Sequence, residues 1–173
     1  MSRLAGLAVA LPPHVVPQER AREAVARAHA GRDDLQRLLR VFASSGVERR
    51  HFAFPPEYYL EPRSFDERNR DFVEQALALA ERAARACLER AEVRPEQVDH
   101  LLLATTTGLA TPSLDALLAP RLGLRPDVRR WPLFGLGCAG GAGARDVRPV
   151  HEGAARVRLE QPGQEGEEGG LAR

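Results

Sequence analysis

A chain of 173 residues with 43% hydrophobic and 28% charged residues has the composition of an ordinary globular protein, about one domain in size. A net charge of +1 gives no electrostatic footing for nucleic acid or an anionic membrane surface, and no apolar stretch approaches the roughly 20 residues of a membrane span. The two cysteines, Cys87 and Cys138, form no CxxC pair, and His14, His29, His51, His100 and His151 have neither zinc-finger nor HExxH spacing, so neither a disulfide framework nor a metal centre is expected.

In chain order, the start has one Arg and a short apolar run stopped by Pro12-Pro13. That is the pattern of a first buried strand over Leu4–Leu11 and not of a secretory leader, so a cytoplasmic protein is expected. Pro17–Ala30 and Asp33–Ser44 have the composition and spacing of two helices broken at Gly31, with Gly46 as the stop. Val47–Phe54 reads as extended, and Pro55, Pro56 and Pro62 frame an aromatic loop around Tyr58 and Tyr59. Ser64 and Glu67 fit a capping box, S-x-x-E, opening a helix to about Ala91. Phe72, Ala76, Ala80, Ala83 and Cys87 make its apolar stripe, so Cys87 is a core residue.

Asp99–Thr107 carries the unbroken run LLLA of a strand covered on both faces. Ser113 starts a short helix to Leu122, in which Pro120 predicts an early end or a kink. Trp131–Leu136 reads as another buried strand and runs directly into Gly137-Cys138-Ala139-Gly140-Gly141. Strands alternate with helices, so the class is α/β. From about Gly143 the text loses aromatic residues and period and ends rich in Gly and Glu, as a disordered segment does.

The segment WPLFGLGCAGGAGA leaves two readings for Cys138. One is a small buried apolar residue. The other is an acyl-accepting nucleophile, placed at a strand end where small residues let backbone approach a reacting carbonyl. His51 and His100 stand in no constellation that would make either a catalytic base.

Longer strings bear on that choice. ALPPH at 10–14, GVERRHF at 46–52, PPEYYLEPRSFDERNR at 55–70, TTTGLATPSLD at 105–115, RLGLRPDVRR at 121–130 and PLFGLGCAGG at 132–141 occur in this order. With them the chain resembles the bacterial type III polyketide synthases of the chalcone and stilbene synthase-like family over most of residues 3–141. The resemblance implies the amino-terminal half of a thiolase-like α/β fold, residues 1–142, followed by an aberrant tail, residues 143–173.

It also implies an acyltransferase that condenses an acyl-CoA starter with malonyl-CoA, without metal or organic cofactor, as a homodimer that binds neither nucleic acid nor membrane. Cys138 matches the nucleophile that carries the acyl chain. Thr106 and Thr107 match residues lining the acyl cavity. Thr111 matches a position that, as Met in plant members, reaches into the partner's cavity. Arg37 and Arg40 align with basic residues that contact the phosphates of coenzyme A, and Ser44 with a third such position, Lys in plant members. Apart from the resemblance, the threonines read as strand-end residues and the arginines as a solvated helix face.

The family completes its site with a His and an Asn from the carboxy-terminal half, and His151 does not lie in that His motif. After Gly141 the matching text breaks off, and a shifted reading frame near codon 142 is the simplest origin. This half is therefore not expected to run the reaction alone. Two rivals stand beside the enzyme: a non-catalytic or dimerising fragment, and a ketoacyl synthase III-like condensing enzyme.

Overall fold

The computed structural model describes residues 4–146. They form β1 (His14–Pro17), α1 (Gln18–Ala28), α2 (Leu35–Ser44), β2 (Arg49–Phe52), α3 (Phe65–Ala91), β3 (His100–Thr105), α4 (Leu114–Leu122), β4 (Arg129–Phe134) and α5 (Gly140–Asp146). Short 3-10 turns occupy Pro56–Leu60, Pro95–Gln97 and Gly137–Ala139. The described residues divide into two units: 10–79 with 108–110, and 4–9, 80–107 and 111–146.

In the unit of residues 10–79, β1 and β2 pair antiparallel, His14 opposite Phe52 and Pro17 opposite Arg49. Gln18 knits α1 to α2 and β2. Its amide donates to the Phe42 carbonyl and the Ser45 hydroxyl, both at 3.0 Å, and its Oε1 accepts from Arg50 Nε at 2.7 Å. Gly46, at φ +66°, turns the chain after α2 in a conformation that favours glycine. In the aromatic loop Phe54 stacks on Tyr58 at 4.2 Å, Arg63 lies over the Tyr58 ring at 4.1 Å, and the Tyr58 hydroxyl donates to Asp71 at 2.5 Å.

The expected capping box starts α3. Glu67 N–H donates to Ser64 Oγ at 3.2 Å, and Ser64 N–H returns a bond to Glu67 Oε2 at 2.9 Å. Two donors that the first helical turn would otherwise leave unpaired are thus satisfied reciprocally. The helix stops at Ala91, where Glu92 takes φ 55° and Val93 N–H reaches back to the Leu88 carbonyl at 3.0 Å. Ala83, Ala84, Cys87 and Leu88 are its buried residues in the second unit.

In that second unit β3 and β4 pair in parallel, His100 opposite Arg129 through Thr105 opposite Phe134. α4 connects them, as a parallel pair requires a crossover. Strand alternation sorts the sheet's faces. Leu101, Leu103 and Arg130 share the face of α4, where Arg130 Nη1 meets Asp115 Oδ2 at 3.0 Å. Ala104 shares the other face with α5, and a Cβ on Gly140 would stand 3.4 Å from the Ala104 Cβ. Leu114, Leu118, Ala119 and Leu122 of α4 fill the core with Leu101 and Leu103.

Three expectations are corrected. Leu4–Leu11 is no strand apart from a single bridge at Ala8, and Leu4, Leu7, Val9 and Leu11 are exposed. An apolar run becomes a strand only beside a strand that takes its ladder. Here residues 4–9 lie against the last turns of α3, where Arg90 Nη1 donates to the Leu7 carbonyl at 2.8 Å. β4 is not buried: five of its six residues are exposed, because among the described residues no layer covers its side chains as α4 covers Leu101 and Leu103 of β3. Pro120 does not end α4 early. It sits in the last turn, the helix runs on to Leu122, and Gly123 at φ 73° closes it as Leu124 N–H bonds the Ala119 carbonyl at 3.1 Å. Of the expected tail, residues 143–146 continue α5, and residues 147–173 lie outside the described residues.

Candidate active site

β3 and β4 run parallel and in register, so both end at one edge of the sheet, with Thr105 opposite Phe134. Gly135 N–H donates to the Thr105 carbonyl at 3.2 Å and holds the two exits together. Thr106 and Thr107 leave β3 there, and Gly135–Cys138 leave β4. The carboxyl ends of parallel strands are where open α/β sheets carry their ligand sites.

Gly135 at φ 78° and Gly137 at φ 55° take left-handed conformations that admit a tight reversal. The chain then enters the 3-10 turn Gly137–Ala139, braced by a bond from Ala139 N–H to the Leu136 carbonyl at 3.1 Å. Cys138 sits within it with an exposed, free thiol. Cys87 is free but buried, and burial pushes its thiol above the usual range, offset in part by Arg90. A thiol attacks as the thiolate. Burial and a raised thiol both disfavour reaction at Cys87, and the exposure of Cys138 does not fit the reading of it as a buried apolar residue.

Thr106, Thr107 and Thr111 are all exposed, the first two at the exit of β3 and the third at the approach to α4, before a cis peptide bond to Pro112. These three and Cys138 belong to the same unit.

Arg37 and Arg40 belong to the other unit, on α2, and are exposed. Arg40 borders a shallow depression between α1 and α2 with Gln18, Arg22 and Gln36, and Arg37 does not. Among the described residues neither arginine is in an ion pair with a carboxylate, so both guanidiniums are available to an anion. Glu19, in the same depression, is held by Arg22, whose hydrogen bonds draw its carboxyl below the usual range. The Ser44 hydroxyl turns back onto its own helix, to the Arg40 carbonyl at 3.3 Å.

Two arrangements escape sequence reasoning. Asp115 is 0% exposed; its Oδ2 meets Arg130, and no described group meets Oδ1. Its signal was a lone charge inside the apolar run SLDALLA. The second, Asn69 on the backbone of Leu109, joins residues 40 apart and has no local signal.

The chain matches the family model for the N-terminal domain of chalcone and stilbene synthases over residues 2–159, beyond the Gly141 at which the string-by-string likeness stops. It is 42% identical over 141 residues to the 1,3,6,8-tetrahydroxynaphthalene synthase of Streptomyces peucetius subsp. caesius, covering 80% of this chain and 37% of that protein. The crystal structure of the tetrahydroxynaphthalene synthase of Streptomyces coelicolor A3(2), a bacterial type III polyketide synthase, superposes with TM-score 0.72 at 30% identity, over 81% of this chain and 41% of that one. CsyB of Aspergillus oryzae, complexed with CoA-SH, superposes with TM-score 0.74 at 28% identity, over 81% and 38%. The fold is the expected thiolase-like α/β fold, and the chain spans about two fifths of the length of the curated relatives it matches.

Proposed function

The chain belongs to the chalcone and stilbene synthase family as its N-terminal domain, and on that premise we propose that it is the acyl-loading part of a type III polyketide synthase, with Cys138 as nucleophile. One observation carries the reading: a free, exposed thiol in a glycine turn at the carboxyl ends of β3 and β4. The Cys138 thiolate attacks the carbonyl of an acyl-CoA starter, and the thiolate of coenzyme A leaves. Malonyl-CoA loses carbon dioxide to give an enolate, which attacks the Cys138 thioester. The new carbon–carbon bond forms as the carbon–sulfur bond breaks, and Cys138 is returned as thiolate.

Thr106, Thr107 and Thr111 line the acyl cavity in this reading. Arg37 and Arg40 meet the phosphates of coenzyme A, supported by their exposure and by the lack of a carboxylate partner among the described residues. The polarising His and Asn lie in the part of the family's length that this chain does not span. They act by stabilising developing charge, where one lost donor costs on the order of 100- to 1000-fold in rate. The protein acts in the cytoplasm as a homodimer.

The test is incubation of the purified chain with an acyl-CoA and malonyl-CoA, read by peptide mass spectrometry and product chromatography. The expected result is an acyl thioester on Cys138 and no released polyketide. Acylation confined to Cys87, no acylation at all, or steady product formation that survives Cys138→Ala would sink the assignment.

A further inference from the structure

We propose that Asn69 is a positioning residue that fixes the loop between β3 and α4 and thereby sets which acyl groups the site accepts; this rests on the reading above that Thr106, Thr107 and Thr111 line the acyl cavity. Asn69 lies near the start of α3 and binds the loop backbone at two points. Its Nδ2 donates to the Leu109 carbonyl at 2.8 Å, and its Oδ1 accepts from Leu109 N–H at 2.8 Å. A carboxamide offers a donor and an acceptor side by side, as a neighbouring peptide group would. Leu109 lies outside any strand, so Asn69 supplies both partners that a ladder would otherwise give.

A second contact grips the adjacent residue. Gly108 is buried, and any Cβ on it would fall into the ring of Phe72. Asn69 and Phe72 are three residues apart and share a face of α3. One helix face thus takes hold of two consecutive loop residues, Gly108 by packing and Leu109 by hydrogen bonding. The Leu109 side chain stays exposed, so the bonds rather than side-chain burial hold its backbone.

The residues on either side of this grip are the candidate cavity residues. Thr106 and Thr107 lead directly into Gly108, and Thr111 follows Ala110. Binding residues on loops depend on the rigid scaffold that places them. Here the scaffold is a 27-residue helix whose first turn, just before Asn69, is fixed by the Ser64–Glu67 box. Displacing a substrate-contacting group by about 1 Å is enough to change rates strongly.

The test compares the full chain with Asn69→Leu, which keeps the number and branching of side-chain heavy atoms and loses both bonds, and Asn69→Gln, which keeps a carboxamide. Two quantities are read: amide hydrogen exchange at Leu109 and along α3, and the relative rates at which acetyl-CoA and octanoyl-CoA acylate Cys138. Asn69→Leu is expected to speed exchange at Leu109 at least about tenfold while residues 77–88 of α3 keep wild-type protection. It is also expected to shift the acetyl to octanoyl ratio at least about threefold, with Asn69→Gln close to wild type in both. Unchanged exchange at Leu109, a rise shared by all of α3, an unshifted ratio, or an Asn69→Gln that behaves like Asn69→Leu overturns the proposal. A wild-type chain that accepts neither thioester overturns the function proposed above and with it the role of Asn69 in acyl choice, while exchange at Leu109 still decides whether Asn69 fixes the loop.

Discussion

Cys87 lies on α3 among the buried side chains of Ala83, Ala84 and Leu88, and Cys138 stands exposed in a turn between two left-handed glycines and α5. Both are free thiols in the same unit, so their difference in exposure is set by backbone and not by residue type. A helical stripe presents every third or fourth residue to its neighbours and closes over a thiol. The glycine turn at the end of two parallel strands has few side chains to cover one, and its Leu136 is itself exposed. The region around α3 and α4 is packed, and the strand-end region is exposed.

Truncation on each side of that contrast gives the largest expected effect. Leu118 in α4 is 0% exposed, and Leu118→Ala is expected to cost about 2–5 kcal/mol in urea unfolding. Phe134, at the end of β4 and 54% exposed, is expected to cost no more than about 0.5 kcal/mol as Phe134→Ala. Equal losses at the two sites would erase the distinction.

The Asp115–Arg130 pair joins the two regions and sharpens the comparison. Arg130→Met removes the ion partner of a fully buried carboxylate whose other oxygen meets no described group. The Arg130 side chain is 41% exposed and water already screens the pair, so the expected loss is about 1–3 kcal/mol. Adding Asp115→Asn should recover part of it, as a positive coupling in a double-mutant cycle. Strict additivity of the two substitutions would show that the pair does not tie α4 to β4.

The smallest effect is at the start of α3. Hydrogen bonds from the Ser64 backbone and hydroxyl hold the Glu67 carboxyl below its usual range. A depressed carboxylate contributes its full share above the unfolded value, about 4.3, and loses it as pH falls through the lower folded value. Protection of the first-turn amides of α3 should therefore weaken on acidification over that window. Glu67→Gln keeps the geometry of the box and should flatten this dependence. An unchanged acid profile in Glu67→Gln would assign the pH response to another group.

What was legible in the sequence was local. The Ser64–Glu67 box, the Cys87 stripe and the Gly46 stop follow from spacing over a few residues and stand in the structure. The strand exits were legible too, since LLLAT and PLFGLGC each run an apolar strand into small or hydroxyl residues. Burial of those strands was not, because it depends on neighbours that the strand's own text does not specify. Leu4–Leu11 and β4 have the composition of covered strands and are exposed for want of cover over their side chains among the described residues. Nor could spacing pair Asn69 with Leu109, a bond that exists only once α3 and the loop are folded. For Cys138, spacing left the role open; the family strings and the exposure of its thiol favour the nucleophile.

Native alkylation with iodoacetamide, followed by peptide mass spectrometry, tests the assignment of Cys138 most directly. An exposed thiol against one reached only by opening the helix packing predicts modification of Cys138 on the order of 100-fold faster than Cys87, with the two rates converging in denaturant. Faster modification of Cys87 in the native chain, or equal rates at both sites before denaturation, would contradict it.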